Sequence, residues 1–300
     1  MGHLLLALLA LLALLLPTGT RAQYEAGSSW SFNDTSPGMF LGGSIAFSGN
    51  VVALGGPGID PRSSSLSLPL SGPMNCRAST QVVLLQCVNG KCVAGTTLRP
   101  GSTSNTNACF GFSVALAAQG TFLAVGAPSF SRTTMAASTG AVFVYECASY
   151  LSCSQPFIYT PAVQTNDLDC GFAVAAQYSA TADVTSVVLA CPGYSSYGGF
   201  QIMQCTGTTT SCQVNPTTGV FYYSGYSTSY AVAIANGLNF FAVGSAYGDV
   251  STFQCTDFAS CTTSSSLVRN INSNYDASRT SFLLIFSYLF IYFINLFLDA

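Results

Sequence analysis

The stretch Phe110 to Cys153, FGFSVALAAQGTFLAVGAPSFSRTTMAASTGAVFVYECASYLSC, decides how the rest of the chain reads. It holds an FG-x-S-V-A run, a turn at Gln119-Gly120, an apolar run ending in Gly126-Ala127-Pro128, a loop of small residues and the run GAVFVY. The apolar runs are about 6–8 residues long, rich in Val, Phe and Ala and punctuated by Gly and Pro, which favours strands over helices. Three extended runs and two turns make most of a small antiparallel sheet.

The stretch recurs. Gly111-Phe112-Ser113-Val114-Ala115 matches Gly42-Gly43-Ser44-Ile45-Ala46 upstream, and Gly171-Phe172-Ala173-Val174-Ala175 and Ser229-Tyr230-Ala231-Val232-Ala233 downstream, with starts 69, 60 and 58 residues apart. Gly126-Ala127-Pro128 is echoed by Gly55-Gly56-Pro57, by Ala190-Cys191-Pro192 and most loosely by Gly244-Ser245-Ala246. Such a period marks a propeller or another array whose units bury their faces only against neighbours.

The segments FGFSVA, LAVGAP and GAVFVY resemble an FG-GAP repeat, the blade unit of the β-propeller at the head of integrin α subunits and in many extracellular proteins. The resemblance implies an all-β fold of propeller-type blades within residues 23–278, in units at 41–92, 110–153, 170–212 and 228–261. It implies an extracellular setting and no particular reaction. Rings of the family have seven blades, so four units imply a partial or open ring. The sides around Ile45 and Val52 at one end, and Val232 and Phe241 at the other, are then expected to lie uncovered.

Both ends of the chain differ from its middle. Residues 1–22 read as a signal peptide, a signal helix with a Leu/Ala run from Leu4 to Leu16, a helix-breaking Pro17, and Thr20 and Ala22 placed for cleavage before Gln23. Residues 281–298 form a hydrophobic tail, expected as a helix, whose core Phe282 to Leu298 is apolar and aromatic but for Asn295. Three readings of it stay open: a short transmembrane anchor, a GPI signal with small residues at Ser273 to Ser278, or sequence from a mis-read exon boundary where a fifth unit is due.

Charged residues make up 6% of the chain, far below the ~25% usual for soluble domains, so Ser, Thr, Asn, Gln and Gly must solvate the surface. A net charge of −3 and a single lysine, Lys91, exclude a basic face, and nucleic acid is not an expected partner. Twelve cysteines behind a signal peptide indicate an oxidising route and disulfides. Eight fall in phase with the repeat, as Cys87 and Cys92, Cys147 and Cys153, Cys205 and Cys212, Cys255 and Cys261; each pair closes a short loop after the third extended run of its unit. Of the other four, Cys170 and Cys191 flank the first two runs of unit three and are paired, which leaves Cys76 with Cys109. Asn33, in Asn33-Asp34-Thr35, is the glycosylation acceptor, and Trp30 is read as part of an outer strand.

No catalytic or metal site is expected. The one histidine, His3, leaves with the signal peptide, which removes imidazole acid/base chemistry and His-containing zinc sites. Asp167 and Asp169 read as a solvated loop before a strand. Integrin-type blades often carry a calcium loop between the first two strands, but the corresponding turns here, Phe47 to Asn50, Ala118 to Thr121, Gln177 to Thr185 and Asn236 to Asn239, lack the carboxylates Ca²⁺ needs. No cofactor is therefore expected. Two functions are in view: a cell-surface or secreted recognition module that binds a protein or glycan through its loops, or a structural cell-wall or coat glycoprotein. The tail at 281–298 adds a membrane anchor to either.

Overall fold

The computed structural model describes residues 41–58, 76, 80–101, 108–131, 139–161, 168–193, 199–206, 212–214, 229–235, 240–245, 250–257 and 260–267. All fall in one compact unit, Ser36–Ala300. The signal segment 1–22, Trp30, Asn33 and the tail 281–298 lie outside the described residues.

The described chain is nearly all-β: seventeen strands in four antiparallel sheets, three of them simple meanders and sheet II a meander with one extra strand on β7. Sheet I holds β1 (Ser44–Ser48), β2 (Val51–Gly56), β3 (Gln81–Val88) and β4 (Lys91–Leu98). Sheet II holds β5 (Ser113–Ala117), β6 (Phe122–Ala127), β7 (Ala141–Ser149), β8 (Ser152–Cys153) and β9 (Phe157–Tyr159), of which β8 and β9 both pair with β7. Sheet III holds β10 (Val174–Ser179), β11 (Val184–Cys191), β12 (Gly199–Thr206) and β13 (Cys212–Val214). Sheet IV holds β14 (Ser229–Ala235), β15 (Phe240–Ser245), β16 (Val250–Asp257) and β17 (Ser260–Leu267). The sequence pattern shows three runs per unit; a fourth strand carries the second cysteine of each in-phase pair. The long first turn read at Gln177 to Thr185 is shorter, because β10 runs on to Ser179 and β11 starts at Val184.

The sheets stack in order, and three apolar layers lie between them. Strand residues alternate in facing, so a sheet covered on both sides must be apolar at nearly every position. Sheet II meets this: β6 reads FLAVGA and is buried throughout. Leu123 and Val125 face sheet I, beside Val51, Ala53 and Leu84. Phe122 and Ala124 face sheet III, beside Val174, Val187 and Leu189. The third layer joins Val188, Ala190 and Ile202 of sheet III to Val232, Phe241 and Phe253 of sheet IV. This corrects one expectation. Val232 and Phe241 do not lie on an uncovered end; they are 6% and 0% exposed and point into the stack. The alternation of β14 and β15 sets Ala231, Ala233 and Ala242 on the opposite face instead, where Ala242 is itself buried.

The repeated motifs join one sheet to the next. Gly42, Gly111 and Gly171 have φ of 90°, 85° and 85°, a left-handed turn that glycine adopts without strain. Each donates its N–H within its own sheet, to Gly55 O, Gly126 O and Ala190 O respectively. Ser44 Oγ then donates to Gly111 O of the next sheet at 2.9 Å, and Ser113 Oγ to Gly171 O at 2.8 Å. In unit three Ala173 stands at this serine position, so the third interface has no hydroxyl there. The Phe of the motif also has a structural reason. Phe110 is fully buried and meets Phe143 edge-on, with centroids 5.1 Å apart. Its counterpart in unit three is Cys170.

Candidate functional site

Cys87 faces Cys92 across β3 and β4, Cys147 faces Cys153 across β7 and β8, and Cys205 faces Cys212 across β12 and β13. All three pairs are disulfides, with Cα–Cα distances of 4.0, 3.9 and 4.0 Å. Cys255 faces Cys261 across β16 and β17, and Cys255 is disulfide-bonded. Cys76 is joined to Cys109, and Cys170 to Cys191. Among the described residues no cysteine is free. The number of bridges fits an oxidising, extracellular environment. The clips sit at one end of their sheets, where they tie the outermost strand to its neighbour.

At that same end, between sheets II and III, lies a cleft of about 390 Å³. Its floor is Phe122, Thr185 and Cys205, and its rim carries Gln119, Thr121, Glu146, Tyr178, Asp183 and Thr206. Two tight turns build it. The β5–β6 turn passes through Ala118, Gln119 and Gly120 with φ of 49°, 56° and 90°. It is closed by the Thr121 N–H and hydroxyl, which both donate to Ala118 O, at 3.2 and 2.8 Å. This closure fixes Gln119 on the rim. The β10–β11 turn is braced by the Tyr178 hydroxyl, which donates to Asp183 Oδ1 at 2.8 Å. That bond, more than the carboxylate charge or desolvation, raises the Tyr178 pKa and keeps the phenol a donor.

Both turns stand where the resemblance would put a calcium loop and lack the carboxylates for one. The structure brings them together in one cleft and adds Glu146, the residue before the clip cysteine Cys147. That residue could have been found by asking which polar side chains flank the in-phase cysteines. Among the described residues no group of three or more His, Cys, Asp or Glu could hold a metal ion, and no helix is long and apolar enough to cross a membrane. A second correction concerns Asp169. It is 4% exposed rather than solvated, sits at φ 50°, and its carbonyl accepts from the Phe172 N–H at 3.2 Å. Cys109 makes the same turn in unit two, with Phe112 N–H as donor.

Two tyrosines give a pH dependence: Tyr145, buried in the layer between sheets I and II, and Tyr159, half-buried on β9. Burial raises the Tyr145 pKa well above its ordinary value, and pushes that of Tyr159, whose hydroxyl donates to Gln201, up to about 12. A raised folded-state pKa leaves stability intact below the unfolded value of about 10 and removes it as pH climbs toward the folded value. The urea midpoint should hold up to about pH 10 and then drop, each tyrosine costing about 1.4 kcal/mol per pH unit. A midpoint that is the same at pH 9 and pH 11.5, flagged with the phenolate absorbance, would contradict the burial of these rings.

No protein-family model matches the chain, and no curated protein matches it.

Proposed function

We propose that the four sheets are FG-GAP-type propeller blades and that the chain is an extracellular or cell-surface recognition module. The reading takes the repeat motifs as its ground for the blades, and the meander order and face-to-face stacking are consistent with it. The function rests on one observation, the cleft between sheets II and III. Its walls are the hydrogen-bonded β5–β6 and β10–β11 turns, set beside the clipped strands β7 and β12, so little conformational entropy is lost when a ligand is held there. Its volume lies in the range of small-ligand pockets. The rim offers an amide, three hydroxyls, two carboxylates and one tyrosine ring, a set that suits the hydroxyl groups and flat faces of a sugar more than an extended apolar peptide. A glycan is therefore the favoured ligand, ahead of a protein surface.

The test is glycan-array binding by the secreted protein, with Tyr178→Ala and Gln119→Ala as variants. Both side chains are exposed rim groups and their loss should leave the fold unchanged. Binding to one glycan class that falls about tenfold or more in either variant is the expected result, the size of effect a central contact gives. Uniform lack of binding, with the native protein recovered only in wall-extracted material, would move the assignment to a structural coat glycoprotein.

A further inference from the structure

The first two strands of every sheet are bulky on one face and alanine-rich on the other. In sheets II, III and IV the bulky faces carry Val114, Leu116, Leu123 and Val125; Val174, Val187 and Leu189; and Val232, Ile234, Phe241 and Val243. Each of these faces is covered by the alanine side of the preceding sheet: Ala46 and Ala53 of sheet I, Ala115, Ala117 and Ala124 of sheet II, and Ala173, Ala175 and Ala190 of sheet III. One interface is thus made three times, always in the same sense, with large side chains set on a face where alanines outnumber the single larger residue, Val51, Phe122 or Val188.

Among the described residues two faces of that kind have no partner sheet, and on sheet I the open part is the β1 edge, since Val83 and Leu85 of β3, cross-strand from Leu54 and Val52, are 3% and 6% exposed. Sheet I presents a bulky face of Ile45, Phe47, Val52 and Leu54, opposite by alternation to its buried Val51 and Ala53. The exact repeat counterparts of Ile45 are Val114, Val174 and Val232, which are 7%, 6% and 6% exposed, whereas Ile45 is 59% and Phe47 72% exposed. The backbone shows the same vacancy. A Cβ on Gly111 or Gly171 would run into neighbouring backbone, but one on Gly42, the equivalent glycine, would meet nothing within 4 Å. At the other end, alternation sets Ala231, Ala233 and Ala242 of sheet IV on the face opposite Val232 and Phe241; Ala231 and Ala233 are half-buried and Ala242 is 8% exposed.

We infer that the bulky face of sheet I docks on the alanine face of sheet IV of a second copy of this chain, head to tail. The occupant follows from continuity with the three internal interfaces: the surface that fits β1 and β2 is the alanine side of β14 and β15, and the chain itself supplies it. The contact resembles the third internal interface more than the first two, because Ala231 stands where Ser44 and Ser113 donate a hydroxyl. It is heterologous, so it does not close on two subunits and allows longer arrays.

Sedimentation velocity of the full secreted chain over a concentration series tests this, with Phe47→Asp and Ala233→Asp as variants. Wild type should shift from monomer to dimer and longer species as concentration rises. Each variant alone should stay monomeric with an unchanged thermal midpoint, since each retains one usable face of the wrong kind for itself. An equimolar mixture of the two should give a one-to-one dimer and nothing larger. If Ala233→Asp fails to fold, Ala231→Asp on the same face replaces it. A monomeric wild type would overturn the inference, as would an Ala233→Asp variant that still dimerises through paired Phe47 faces. Association that survives Phe47→Asp, as an effect of the 281–298 run would, also overturns it.

Discussion

Phe110→Ala should lower stability by about 3–5 kcal/mol, the range for removing a fully buried ring from a core that relaxes only in part. Phe110 is 0% exposed and lies in the layer between sheets I and II. It meets Phe143 at 5.1 Å and Tyr145 at 6.4 Å, both edge to face, and Phe130 completes the group against Phe143 at 5.3 Å. Deleting the ring therefore leaves a cavity walled by other aromatic rings, which cannot collapse without leaving their rotamers. The neighbouring Phe112 is the control. It is half-exposed and tilts against Phe172 of the next unit at 4.7 Å, so Phe112→Ala should cost only about 0.5–1.5 kcal/mol. Urea unfolding of the two variants distinguishes them. Equal losses would mean that the first Phe of the motif has no special place in the core.

Much of this arrangement was legible before any coordinates. Short apolar runs between Gly and Pro gave strands, and their recurrence gave four like sheets. The cysteine phase gave the clips, because a residue pair opposite one another in a hairpin keeps its offset from the turn however the rest of the unit varies. The face of each strand was harder to read. Where both faces are buried the alternation of polar and apolar is gone, and only the difference between Ala and Val or Phe marks the sides. That is why Val232 and Phe241 were placed on the wrong side of sheet IV. The cleft could not be read because its residues come from two units 60 residues apart, and no one of them is distinctive alone. Asp169 reads as solvated because sequence shows its charge but not that its neighbours on both sides are pinned, Cys170 to Thr139 and Gly140 and Leu168 to Gly193.

Gly126→Ala should lower stability by about 1–3 kcal/mol, the range for forcing an added methyl into a filled site, and Ser113→Ala should take part of that loss back. A Cβ at Gly126 would fall on the Gly171 carbonyl oxygen and on Ser113 Oγ. The first obstacle is backbone of the next sheet and can yield only by moving the sheet; the second is a hydroxyl that a substitution removes. Unit one repeats the arrangement, since a Cβ on Gly55 would meet Ser44 Oγ and the Gly111 carbonyl. Unit three shows the alternative solution: Ala190 fills the Gly126 position, and its cross-strand partner is Ala173 rather than a serine. Glycine with serine and alanine with alanine are thus both compatible, and sheet IV sets Gly244 opposite Ala231, where an added Cβ would meet only the Ala231 Cβ at 3.5 Å. On its own Ser113→Ala should cost about 1–2 kcal/mol by leaving the Gly171 carbonyl without its side-chain donor. The double variant Gly126→Ala/Ser113→Ala should then be more stable than the sum of the single losses predicts, by about 0.5–3 kcal/mol, as residues in direct contact allow. Losses that simply add in urea melts would show that sheet III sets the tolerance at this position and that the serine plays no part in it.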